Sequence, residues 1–293
     1  MTAHLLEPPL PYSLARTAGG LRTLTRSFEA GELRLVFRCA AGPAEARVRQ
    51  LRDARLAVEL VAPDEEQALA RLRFLLALDV DLAPFYASVA GDPLLGPAVY
   101  RARGMRSMRL DSPAHALLRG VTGQLVRSID AIRIENAAIR AVATQHAGLW
   151  LSPTRDELRS LGQARLGSFG LAGRRAAALV RALELVDLDR LAELETAQVV
   201  ARLVAQPGIG AWTAGVVACE GLGRLDHGMV GDLGHVKLLT RIHGSVPDAQ
   251  EQAELLARYA PYQGLASLYL QLAPQARMPA SPRAVAAFAG RRR

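Results

Sequence analysis

Gln206-Pro207-Gly208-Ile209-Gly210-Ala211-Trp212-Thr213-Ala214 sits between two segments of helical periodicity, residues 197–205 and 211–219. Two glycines one residue apart allow a sharp turn, since both are free to adopt positive φ, and they leave their amides open to close approach. The second helix starts at once. Its unpaired N–H groups and the positive end of its dipole therefore face out of the turn. That combination makes an anion site, and a phosphate of a nucleic-acid backbone suits it. Ile209, between the glycines, is expected to peg the turn to its own helices. The phrase predicts a helix–hairpin–helix over about residues 197–219.

Downstream, nineteen residues beyond Thr213, stands Asp232, followed by Leu233-Gly234. Aspartate is a favoured helix cap, so capping the helix from Leu233 is one role open to it. The other is chemical. A lone ionised carboxylate can stabilise a developing cation and orient or deprotonate a water. Both roles can coexist. Asp226, six residues earlier, suits a structural or capping role. His227, His235 and His243 match no metal-ligand spacing, so no metal site is expected.

Upstream of residue 86 the pattern differs. Leu33, Leu35, Phe37 and Cys39 alternate with polar residues, and Leu56, Val58 and Leu60 repeat the period of two, as strands do. Pro63-Asp64 then opens a helix bearing Leu69, Leu72, Leu75 and Leu76. From about Pro84 the periodicity is helical throughout. Asp111-Ser112-Pro113 starts one helix, which carries Leu117, Leu118, Val121, Leu125, Val126 and Ile129. Further helices are expected over 174–185, 249–259 and 265–273. The fold class is therefore mainly α with an α+β start: a small antiparallel sheet domain (1–85) and a two-lobed helical body (86–293), with a cleft between its lobes.

Residues 1–85 balance 11 arginines with 11 acidic residues, whereas 86–293 hold 25 Lys/Arg against 17 Asp/Glu, which accounts for the net charge of +8. A polyanion partner fits that asymmetry, because basic surface attracts phosphates. No apolar run approaches the ~18 residues of a membrane span, and the first residues lack the order of a signal peptide. Two cysteines are too few for a disulfide framework or an iron–sulfur cluster. A cytoplasmic, nucleoid-associated bacterial monomer is the expectation.

Taken together, the hairpin, Asp232-Leu233-Gly234, Gly123-Gln124-Leu125-Val126, Tyr259-Ala260-Pro261-Tyr262 and Pro9–Leu14 resemble the helix-hairpin-helix DNA glycosylases. The resemblance is greatest to the 3-methyladenine DNA glycosylase II, or alkylation-repair, branch. It spans essentially the whole chain, and is specific at the hairpin and aspartate but loose in the first 85 residues. It implies excision of an alkylated base from damaged double-stranded DNA by base flipping. Asp232 would be catalytic, and Gln124, Gln206, Gly208, Ile209, Gly210, Thr213 and Lys237 would bind DNA. Leu125 would fill the gap left by the flipped nucleotide. Trp212, Tyr269 and Gln271 would line the base pocket. In bifunctional relatives a nucleophilic lysine stands where Trp212 stands here, so a monofunctional enzyme without lyase activity is implied. No cofactor is implied beyond a monovalent cation bridging hairpin and phosphate.

The chain departs from the family at three places. Val216 replaces a tyrosine, Gln271 occupies the position of a pocket tryptophan, and Met229-Val230-Gly231 lacks the usual proline before the aspartate. A non-catalytic DNA-binding protein with the same hairpin remains an alternative reading, as does a glycosylase for oxidised or deaminated bases.

Overall fold

The computed structural model describes residues 1–19, 23–124, 127–171 and 173–272. Its sheet grows from the alternating segments. Strands β1 (Thr2–Leu6), β2 (Arg26–Glu29), β3 (Glu32–Cys39), β4 (Gly42–Gln50) and β5 (Leu56–Val61) pair antiparallel in the order β1-β5-β4-β3-β2; a short helix α1 (Leu14–Ala18) follows β1 in the chain. The register sets Leu33 opposite Val48 and Leu35 opposite Ala46, so apolar side chains share one face. That face is covered by α2 (Glu65–Leu75), capped by Asp64, whose side chain accepts the Gln67 amide. Leu33, Phe37, Leu72 and Leu76 are among the residues of the resulting core.

Helices follow through the rest of the described residues, with one short hairpin of two-residue strands among them. They are α3 (Ala83–Val89), α4 (Leu95–Arg101), α5 (Pro113–Thr122), α6 (Ser128–Val142), then β6 (Gln145–His146) with β7 (Leu149–Trp150), α7 (Arg155–Arg159), α8 (Gly162–Ser168), α9 (Arg174–Leu185), α10 (Thr196–Val204) and α11 (Ala211–Val216). A π-type turn, Val217–Gly221, extends α11, and α12 (Leu233–His243), α13 (Ala249–Ala257) and α14 (Gln263–Leu270) complete the described chain.

The helical body has two apolar cores. One is built from α5, α6 and α9–α11, with Leu117, Leu179 and Ile209 among its members. The other joins α3 and α4 to α12–α14 through Phe85, Leu95, Leu239 and Tyr269. The chain thus leaves one lobe, builds the other, and returns through residues 222–232.

One expectation fails here. The helix opened by Ser112-Pro113 does not run on to Ile129: it stops at Thr122, and α6 starts at Ser128. Ile129 then points outward, 67% exposed, rather than continuing the stripe of Leu117 and Val121. No helix among the described residues is long and apolar enough to cross a membrane.

Candidate nucleic-acid interface and active site

α10 and α11 form the predicted hairpin. Gly208 has φ +91°, and a Cβ there would lie 2.7 Å from the Ala178 Cβ of α9, so only glycine fits without strain. Gly210 behaves differently from the expectation that both glycines take positive φ. It caps α11 at φ −96°, ψ 177°, which any residue can adopt, and a Cβ would meet nothing within 4 Å. Its side-chain-free face is open space. Ile209 is 3% exposed and belongs to the first core, so it does peg the turn. The Ile209 amide closes the turn on the Gln206 carbonyl at 2.9 Å.

The partners of the hairpin come from α5 and its C-terminal side. Gln124 Nε2 donates to the Gly208 carbonyl and to Thr213 Oγ1, both at 3.0 Å, bracing the turn from outside. Thr213 is 1% exposed and packs on Gly120, whose added Cβ would meet the threonine methyl at 2.8 Å. Its hydroxyl is thus spent on Gln124 and the Gly120 carbonyl, and its side chain is not a free DNA ligand. Leu125, expected to act as the wedge, lies outside the described residues.

Asp232 caps α12. Its Oδ1 accepts the amides of Gly234 at 2.8 Å and His235 at 3.3 Å. Its Oδ2 accepts Trp212 Nε1 at 3.2 Å and Gln271 Nε2 at 3.1 Å. The capping role and a place on a cleft therefore coexist in one residue. That cleft, of about 1040 Å³, is lined by Gln124, Gly208, Gly210, Trp212, Asp232 and Lys237, among others. Hairpin glycines and carboxylate open on the same space. Leu233, 46% exposed, also lines it. It was missed, although it stands off the buried stripe of His235, Leu238, Leu239 and Ile242, which marks it as an outward apolar residue.

Trp212 is half-buried. Its ring rests against Gly123, where a Cβ would meet Cη2 at 2.7 Å, and it packs over Val216, Cys219 and Met229. Val216 is buried in that layer, where the tyrosine of the resemblance would have stood. Burial pushes the Cys219 thiol up to about 12, with Glu220 and Asp226 acting in the same sense, so it is no nucleophile at neutral pH. Gln271 ends α14 and is exposed, and it reaches the carboxylate rather than forming a flat wall.

Tyr269 is a correction. It is fully buried, its hydroxyl sharing a bond with Tyr86 Oη and donating to the Met105 carbonyl, each at 2.8 Å, and its ring lies 5.5 Å from Phe85. It holds the second core together and does not reach the cleft. Two residues along α14 turn a side chain through about 200°, which is why Tyr269 and Gln271 face opposite ways. Gln206 does not line the cleft either; its side chain turns back to the Arg202 carbonyl at 3.5 Å. Asp226 takes the structural role expected of it, accepting the Thr196 hydroxyl at the start of α10 at 2.9 Å. Among the described residues, no group of three His, Cys, Asp or Glu side chains is placed to hold a metal ion.

A sheet domain against a two-lobed helical body, with a glycine hairpin and a carboxylate facing one cleft, defines a class: the fold is that of the helix-hairpin-helix DNA glycosylases. Comparison with known proteins bears out the resemblance. A 3-methyladenine DNA-glycosylase from Archaeoglobus fulgidus superposes with a TM-score of 0.76 at 20% identity, covering 93% of this chain and 97% of that one. A Schizosaccharomyces pombe 3-methyladenine DNA glycosylase, Mag1, in complex with abasic DNA gives 0.53 at 22% identity, covering 64% and 95%.

In sequence, the chain is homologous to a Mycobacterium tuberculosis protein named probable bifunctional transcriptional activator/DNA repair enzyme AlkA, 31% identical over 208 residues. The match covers 69% of this chain and 42% of the relative, so the chain spans less than half the length of that protein. A Bacillus subtilis DNA-3-methyladenine glycosylase is 23% identical over 205 residues, 66% of this chain and 67% of that protein. No family model matches.

Proposed function

We propose that the chain is a monofunctional DNA glycosylase that removes alkylated bases of the 3-methyladenine type from damaged duplex DNA. The observation that carries this reading is the shared cleft: Asp232 lines the same space as the exposed Gly208 and Gly210. The hairpin glycines and the first amides of α11 bind a backbone phosphate. Lys237, exposed on α12 within the same cleft, neutralises another. A nucleotide unstacked from the duplex then enters beside Trp212, at a cost of a few kcal/mol for unstacking.

Breaking its glycosidic bond builds positive charge on the sugar, and the anionic Asp232 stabilises that charge and orients the attacking water. A base alkylated on a ring nitrogen is already cationic, so it departs without a dedicated proton donor. One carboxylate is enough. The electron-rich face of Trp212 favours a cationic base. Trp212 offers no amine where a lyase needs one, so an abasic site is the product.

The test is base release from methylated duplex DNA by the wild type and by Asp232→Asn. The wild type should release methylated purines. The variant should release them slower by on the order of 10²–10³-fold, as when one preorganised charge-stabilising group is lost, while still binding the duplex. Release that survives the substitution takes the role from Asp232. A borohydride-trappable, Lys237-dependent nick in abasic DNA would make the enzyme bifunctional.

A further inference from the structure

We propose that Gln271 is a positioning residue for Asp232, holding Oδ2 so that the carboxylate keeps one edge turned to the cleft. This rests on the glycosylase reading. The carboxylate receives four hydrogen bonds. Two backbone amides of α12 take Oδ1, and two side chains take Oδ2, Trp212 from α11 and Gln271 from the end of α14. The helix cap alone fixes only Oδ1. Without Gln271, the Trp212 indole is the one side-chain donor left on Oδ2 among the described residues, and that oxygen is held more loosely than Oδ1.

The chemistry of the donors matters as much as their number. An indole, an amide and two backbone N–H groups are neutral, so they orient the carboxylate without cancelling its charge. Among the described residues no Lys or Arg forms an ion pair with Asp232, although Lys237 lines the same cleft. An anion meant to face a sugar cation is best kept oriented and unneutralised. The fit around it is close: a Cβ on Gly234 would stand 2.9 Å from Asp232 Oδ1 and 3.9 Å from Gln271 Cγ. The glutamine thus occupies the place of a stacking wall but acts on the acid, and its effect should not depend on which base is bound.

The experiment compares Gln271→Ala and Gln271→Glu with the parent in single-turnover release from two duplexes, one carrying a cationic methylated purine and one a neutral deaminated purine. Alanine should slow both by about 10–10²-fold, up to the scale of a reacting group misplaced by about 1 Å, with the half-saturating concentration little changed. Glutamate, which sets a second anion against Oδ2, should slow both further. The chain has two tryptophans, so a Trp150→Phe background leaves Trp212 as the sole tryptophan, and its emission on excitation at the red edge should move to the red in Gln271→Ala as the cluster loosens.

Unchanged rates with unmoved emission would overturn the proposal. So would a loss confined to one lesion, which marks a base contact, or a faster alanine variant, which marks a gate. If the parent releases nothing from either duplex, the glycosylase reading fails. The emission comparison then still decides whether Gln271 holds the Asp232–Trp212 pair.

Discussion

Replacing each hairpin glycine with alanine separates folding from nucleic-acid binding, because the two positions differ so sharply. At Gly208 the backbone has φ +91° and the new methyl would lie 2.7 Å from Ala178 Cβ. Left-handed backbone costs a non-glycine residue about 1–2 kcal/mol, and forcing a methyl into a packed contact about 1–3 kcal/mol more. The sum, about 2–5 kcal/mol, corresponds to a fall in Tm of roughly 4–10 °C at about 2 °C per kcal/mol. At Gly210 φ is −96° and nothing lies within 4 Å. Alanine there gives up only the glycine preference at a helix cap, about 0.5 kcal/mol. Its methyl, however, occupies the open side by which a phosphate would reach the amides. Thermal unfolding and anisotropy titration with a duplex bearing an abasic-site analogue read the two effects. Gly210→Ala should melt within about 2 °C of the wild type and bind about tenfold more weakly, the scale of one lost charge-assisted hydrogen bond. A Gly210→Ala protein that binds as tightly as wild type would remove the hairpin as a phosphate site. A Gly208→Ala protein of native stability would refute the steric account.

Tyr269→Phe should cost about 1–2 kcal/mol in urea unfolding, because it strands the Met105 carbonyl in a buried core and leaves Tyr86 Oη with the Gly104 amide alone. Lesion preference should not move; altered selectivity would return Tyr269 to the base pocket. Acid should destabilise the first lobe through a buried cluster on α5 and α6. Burial pushes Glu135 up, but Arg119 and a hydrogen bond from His115 outweigh it and hold its carboxyl down at about 2, against the ordinary 4.5. Stability from Glu135 is therefore complete above about pH 4.5 and lost as pH falls toward about 2. Burial also holds His115 below its ordinary 6.5, and the neutral ring can donate Nε2–H to Glu135 while accepting the Ser152 hydroxyl at Nδ1. The unfolded chain protonates first, so stability from His115 declines below about pH 6.5. The slope reaches up to about 1.4 kcal/mol per pH unit for each group. Urea midpoints from pH 7 to 5 should fall more steeply for wild type than for His115→Gln; equal slopes would exclude His115 as the origin.

Much of this fold was legible because its strongest local signals agree with its packing. Asp64 and Ser112 cap α2 and α5 where a cap residue precedes a helical pattern, and Ile209 and Gly208 behave as a two-glycine turn demands. β4 was not read, since its inward residues include Ala44 and Ala46, too small to stand out, although both are fully buried against the sheet core. β2 is four residues long and depends on pairing with β3 rather than on its own pattern. Within the site, the positions were legible and the partners were not. The resemblance implies a place near the base for Gln271 and near a phosphate for Thr213. Only three-dimensional contact directs the glutamine amide to Asp232 and turns the threonine hydroxyl inward to Gln124.

On the proposed reading, those contacts also keep a phosphate site and an acid in register. The hairpin leads into α11 and Asp232 caps α12, and one residue bridges the two elements. Trp212 sits in the first turn after Gly210 and donates to Asp232. Its ring can lie there because α5 carries Gly120 and Gly123 on the facing side, where any side chain would strike Thr213 or the indole at under 3 Å. Close helix approach therefore sets the tryptophan, and the tryptophan sets the carboxylate relative to the hairpin. A backbone held by the hairpin would meet an acid at a distance fixed by packing, not by a mobile loop. The small residues at Gly120 and Gly123, which carry no chemistry of their own, would thus bear on the proposed reaction through placement, since interiors packed at crystal density transmit a displaced methyl as a shift of their neighbours.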